Sequence, residues 1–142
     1  MAKQIKTAVE AEEYEFLDAS GKSLFTISFH ASDIAIIHRY DEVVEYLNKL
    51  DLSGLQSSEN TSEELARVEN ELASQLNKMF NSNIADSIYS VMSPFTPLAS
   101  GKLYIEEIIE KLGDLIETET GARLKKVQSR MSKYTAKYHQ KK

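Results

Sequence analysis

Polar and apolar positions alternate over two short runs near the start of the chain, and the period then lengthens to that of a helix. In "YEFLDASGKSLFTISF" Tyr14 and Phe16 alternate with Glu13 and Glu15. Leu24 leads into Phe25, Ile27 and Phe29, which alternate with Thr26 and Ser28. A period of two is that of a half-buried strand. Asp18, Ser20 and Gly21 stand between the runs and supply turn chemistry, which predicts a β-hairpin at about 14–29. Residues 1–12 are polar and lack a period, as expected of a loose arm.

In "HASDIAIIHRYDEVVEYLNKL" the apolar residues Ile36, Tyr40, Val43, Leu47 and Leu50 recur at steps of four and three, flanked by Ile37 and Val44. That spacing predicts a helix over 33–50, with Ser32 or Asp33 placed to cap it, and the hairpin's apolar face is expected to bury against it. "DLSGLQSSEN" reads as a loop, and "TSEE" as a capping box between Thr61 and Glu64. The helix that follows carries Leu65, Val68, Leu72, Leu76 and Met79 on one face, with Glu63–Arg67 and Arg67–Glu71 as surface pairs. "NSN" at 81–83 interrupts it, and a short helix with Ile84, Ile88, Val91 and Met92 comes next. Pro94 and Pro97 make "SPFTPLASG" an extended connector from which Phe95 and Leu98 turn back to the core.

The next helix is expected to open near Ser100 as cap, with Ile105, Ile108, Ile109, Leu112, Leu115 and Ile116 as its apolar stripe. Glu106, Glu107, Glu110, Asp114 and Glu117 fall on the other side. Gly121 is expected to break or kink the chain, because glycine is a poor interior helix residue. Beyond it Leu124, Val127, Met131, Tyr134 and Tyr138 follow at steps of three and four, a seam of two heptads. The predicted class is α+β, mainly α: an N-terminal hairpin followed by four or five helices, the last basic and amphipathic. It divides into a flexible arm at 1–12, a hairpin-plus-helix body at 13–120 and a basic helix and tail at 121–142.

Composition adds bounds. A chain of 142 residues with 42% hydrophobic and 27% charged residues suits one soluble domain with a modest core. It has no cysteine, which excludes disulfides and thiolate metal sites. No apolar run approaches the roughly 20 residues of a membrane-spanning helix. "MAKQIKTAVEAEEY" lacks the apolar core of a secretory signal, so a cytoplasmic protein is expected. Charge changes the picture more. The net charge of −5 hides an asymmetry, since every acid lies at or before Glu119. Residues 121–142 carry eight bases and no acid, +8, whereas residues 1–120 hold nine bases against 22 acids, −13. The basic segment therefore suits an acidic partner, another acidic surface or simple solvation.

Candidate chemistry is sparse. ASGK occurs at 19–22 and again at 99–102. A phosphate loop needs G-x-x-x-x-G-K-[ST] between a buried strand and a helix. The first copy links two strands. The second has Thr96 five residues before Gly101 and Leu103 after Lys102, so neither is expected to bind a nucleotide. His30, His38 and His139 show no metal-ligand spacing, no serine sits in a G-x-S-x-G elbow, and the paired acids Glu106 and Glu107 read as a solvated face. No enzyme, cofactor or metal is expected. Leu124, Val127, Met131, Tyr134 and Tyr138 with Lys126, Arg130 and Lys133 remain as an interaction helix for a client or another copy. The alternative is a nucleic-acid-binding helix whose tyrosines stack bases.

The hairpin followed by "SDIAIIHRYDEV", the segment "PFTPLASGKLYIEEIIEKLG" and "ETGARLKKVQSRMSKYTAKYH" resemble the tail assembly chaperones, small proteins encoded in tail-gene modules of phages and prophages of Gram-positive bacteria. The likeness covers roughly residues 13–50 and 94–139. It implies a non-enzymatic, mostly helical protein that keeps the long hydrophobic tape-measure protein soluble and helps tail-tube subunits assemble around it. The implied partners are the tape-measure protein, the tail-tube subunit and further copies of the chain. The implied place is the bacterial host cytoplasm, with absence from the mature virion.

Overall fold

The structure, a computed structural model, describes residues 1–50 and 61–140, with side chains up to position 129 except that of Thr61. The loop expected at 51–60 and the Thr61 half of the capping box lie outside the described residues. Strands β1 (Glu12–Leu17) and β2 (Ser23–Phe29) form one antiparallel hairpin. Four helices follow among the described residues: α1 (Ile34–Lys49), α2 (Thr61–Phe80), α3 (Ala85–Tyr89) and α4 (Tyr104–Gln140). The class is α+β, mainly α, as the periodicities indicate.

In the hairpin Tyr14 pairs with Ile27 and Phe16 with Phe25. Phe25, Ile27 and Phe29 are buried while Thr26 and Ser28 are exposed, so the period of two has sorted the strand's faces. The hairpin's backbone does not come closest to α1, the helix expected to cover it. That backbone approaches α3, and Phe29 meets Phe80 at the end of α2 edge-on at 4.6 Å. Alternation marks which face is buried but not which element covers it, and here α3 and the end of α2 occupy that place.

Both ASGK copies adopt one turn. In the first, the Asp18 N–H donates to Lys22 O at 2.8 Å and the Gly21 N–H to Asp18 O at 3.0 Å, with Gly21 at φ 90. In the second, the Leu98 N–H donates to Lys102 O at 2.8 Å and the Gly101 N–H to Leu98 O at 3.0 Å, with Gly101 at φ 88. This is the three-residue loop whose last position is left-handed, where a side chain is strained and glycine is not. The second copy is thus a small hairpin closed by the Pro97–Leu103 bridge, and the helix begins only after it. Ser100 caps nothing at the helix start; the Glu106 side chain reaches back to the Leu103 N–H at 3.0 Å, three positions before it, as in a capping box.

Caps set the other boundaries. Asp33 caps α1 by accepting from the Ala35 N–H at 3.0 Å. Helix α2 ends where Asn81 turns to φ 53, with the Ser82 N–H on Asn77 O and the Asn81 N–H on Lys78 O, a Schellman motif. The Asn77 side chain then accepts from the Ile84 and Ala85 N–H groups at 2.8 and 2.9 Å and so caps α3 in trans. On the α2 surface Arg67 bridges Glu64 and Glu71, taking Glu64 one turn back where Glu63 was expected.

The core joins all these elements. Leu72, Leu76, Met79, Ile88, Ile105 and Leu112 are at most 1% exposed, each worth roughly 1.5–3 kcal/mol in area removed from water. Pro94 O and Thr96 O accept from the Ile105 and Tyr104 N–H groups, so the proline connector straps onto the start of α4. Helices α1 and α4 meet at Gly113, which faces the Tyr40 ring, and the Tyr40 hydroxyl donates to Ile109 O at 3.0 Å.

The expected break at Gly121 does not occur. One helix of 37 residues runs from Tyr104 to Gln140. A single glycine costs about 1 kcal/mol in a helix interior. Good helix formers from Ala122 to Lys126, and anchoring contacts at Thr120 and Arg123, offset that cost.

Candidate interaction surface

Helix α4 belongs to the core for its first half and leaves it at a defined point. Ile105, Ile109, Leu112, Ile116 and Thr120 are its buried line. The Thr120 hydroxyl donates to Ala31 O at 3.3 Å. One turn on, Arg123 donates to Ser32 Oγ at 2.5 Å and pairs with Glu12. Glu12 also accepts from the Tyr14 hydroxyl at 2.7 Å, and that bond, then Arg123, holds its carboxyl below the ordinary 4.5. This cluster ties the root of the C-terminal arm to both ends of the hairpin.

Past the root, every described residue from Gly121 to Ser129 is exposed. Leu124 and Val127 continue the buried line of α4 at the same three- and four-residue steps, yet they are 36% and 44% exposed. Lys125 and Lys126 flank them in solvent. The arm is therefore an amphipathic helix whose apolar stripe is continuous with the core and has lost its cover. The backbone of α4 carries Arg130, Met131, Lys133, Tyr134 and Tyr138 onward in helix; their side chains lie outside the described residues. The structure thus joins Leu124 and Val127 with Lys126 on one arm, as their spacing predicts.

A second apolar surface was not legible in the spacing. Phe16, Leu17 and Leu24 from the hairpin, Met92 and Leu98 from the connector and Ile108 from α4 line a groove of about 660 Å³. Leu17, beside the register shift at the end of β1, is 53% exposed. Glu15, Asp18 and Glu107 lie on the groove against one cation, Lys111. These residues come from the hairpin and from positions 91–111, far apart in the chain, so only the fold brings the two together.

Several polar groups singled out by the sequence have structural partners. Lys102 of the second ASGK pairs with Glu110 at 2.5 Å on the surface, and that contact raises its pKa. His38 is exposed and pairs with Glu42 at 3.1 Å. Tyr89 and Tyr104 donate to Glu69 O and Ile88 O at 2.8 Å, and burial pushes both phenols up, Tyr104 to about 12. Such phenols stay protonated at neutral pH and act as donors in the frame. Among the described residues no buried side-chain polar atom lacks a partner, and no group of three ligating side chains could hold a metal ion. Among them, too, no helix is long and apolar enough to cross a membrane.

The chain matches no family model, no curated protein and no solved structure.

Proposed function

We propose that the protein is a non-enzymatic assembly chaperone of the phage-tail kind that three of its segments resemble. Its C-terminal arm would hold an amphipathic helix of a long hydrophobic tape-measure client until tail-tube subunits assemble around it. One observation carries this reading: the apolar stripe of α4 leaves the core at Thr120 and continues, uncovered, through Leu124 and Val127 on a helical arm. A two-heptad helix is marginal alone in water, but this one is extended from a packed helix and so stands ordered for a partner. The acidic body would keep a greasy complex in solution. The setting is the host cytoplasm, and the protein would leave before the virion matures.

Nucleic acid is the competing occupant of the same arm. Against it, Arg123, the first base of the arm, is committed to Glu12 and Ser32. The body is also strongly acidic and would repel phosphates.

Co-expression with a tape-measure protein of a Gram-positive phage tail module, followed by co-purification, tests the proposal. Leu124→Asp with Val127→Asp should abolish co-purification. Lys126→Gln, Arg130→Gln and Lys133→Gln together should weaken it less and lower its sensitivity to salt. For a nucleic-acid arm the order reverses: the charge variant loses a steeply salt-dependent gel shift and the seam variant keeps it.

A further inference from the structure

Two exposed apolar surfaces of opposite charge lie on this molecule and cannot meet within it. The groove has its wall at Ile108, near the start of α4, while the seam at Leu124 and Val127 lies on the same unbroken helix. Ile108 and Val127 are separated by about 28 Å along the axis at 1.5 Å per residue, and a continuous helix cannot fold back on itself. The groove carries Glu15, Asp18 and Glu107 against Lys111 alone, whereas the arm carries eight bases and no acid. Its apolar floor, from Phe16 to Ile108, is open enough to take the side chains of a helix.

We propose that the groove receives the C-terminal arm of a second copy, head to tail. Leu124 and Val127 of one copy seat on Leu17, Leu24 and Met92 of the next, and Lys125 and Lys126 approach Glu15 and Glu107. Groove and seam are different surfaces, so the contact is heterologous. Each added copy brings a free arm and a free groove, and growth proceeds to rings or open chains. The inference uses the same seam as the client reading but needs no client, so purified chain alone decides it.

The experiment is sedimentation velocity on the full chain across micromolar concentrations, with circular dichroism to confirm folding. The wild type should show a mass that climbs with concentration through several species. A seam variant, Leu124→Asp with Val127→Asp, and a groove variant, Leu17→Glu with Met92→Glu, should each associate at least about tenfold more weakly. Mixed together they should form a one-to-one complex and nothing larger, because one supplies only a groove and the other only an arm. If a groove variant loses its helical signal, the charge pair serves instead. Glu15→Lys with Glu107→Lys should block assembly, and adding the chain with Lys125→Glu and Lys126→Glu should restore it. A wild type that stays monomeric overturns the proposal. So does a groove variant that assembles as well as the wild type, which means seams pair with seams, or a mixture that gives no complex.

Discussion

Gly113→Ala tests whether the α1–α4 contact is as close as the structure shows. In an ordinary exposed helix the change gains about 1 kcal/mol from propensity. Here the new Cβ would meet the Tyr40 hydroxyl oxygen and lie 2.8 Å from Tyr40 Cζ, inside any normal carbon contact. Either the helices move apart or Tyr40 leaves, and Tyr40 is held by its hydrogen bond to Ile109 O at 3.0 Å. Overpacking costs about 1–3 kcal/mol, and losing the hydrogen bond costs on the order of 1 kcal/mol more. The net expectation is a loss of about 1–3 kcal/mol, which for a chain of this size lowers Tm by about 3–12 °C. Urea and thermal unfolding of the single variant, of Tyr40→Phe and of the double variant complete a cycle. The double variant should recover part of the loss, since the phenol oxygen is the nearest clash. A Gly113→Ala protein more stable than the wild type would refute the close contact.

Three further outcomes follow from local geometry and ionisation. Gly121→Ala should raise stability by about 0.5–1 kcal/mol, because the position is helical with nothing within 4 Å of the added methyl; a loss in thermal unfolding would mean the helix does break there. Gly21→Ala and Gly101→Ala should each cost about 1 kcal/mol despite open space, since both sit near φ +90 where a Cβ is strained; equal melting curves would contradict the shared turn. Stability should fall above pH 10, because Tyr46 and Tyr104 are pushed up to about 12 when folded and the unfolded chain loses their protons first. Tyr104, buried in the core, then costs up to about 1.4 kcal/mol per pH unit until its folded pKa is reached, the more solvated Tyr46 contributes less, and flat urea midpoints from pH 9 to 11 would refute it.

Sequence alone determined the local order of this protein. A period of two over Tyr14–Phe29 and steps of three and four over the later segments report which side of each element is apolar, and that is a property of neighbouring residues. The hairpin, α1, α2, α3, Asp33 as a cap and the arm seam of Leu124 and Val127 were all legible for that reason. Properties that depend on distant residues were not. The approach of the hairpin's backbone to α3, more closely than to α1, depends on which elements fill the space around it. Gly121 reads as a breaker by propensity, but its cost of about 1 kcal/mol is of the size that the contacts of Thr120 and Arg123 with segments some ninety positions away can offset. The value of Gly113 appears only when Tyr40 is brought against it, and Asn77 caps a helix not its own. The apolar groove exists only where hairpin, connector and α4 converge. Spacing along a chain encodes faces; tertiary packing decides which of those faces are covered, and here it covers the stripe of α4 as far as Thr120 and leaves Leu124 and Val127 bare.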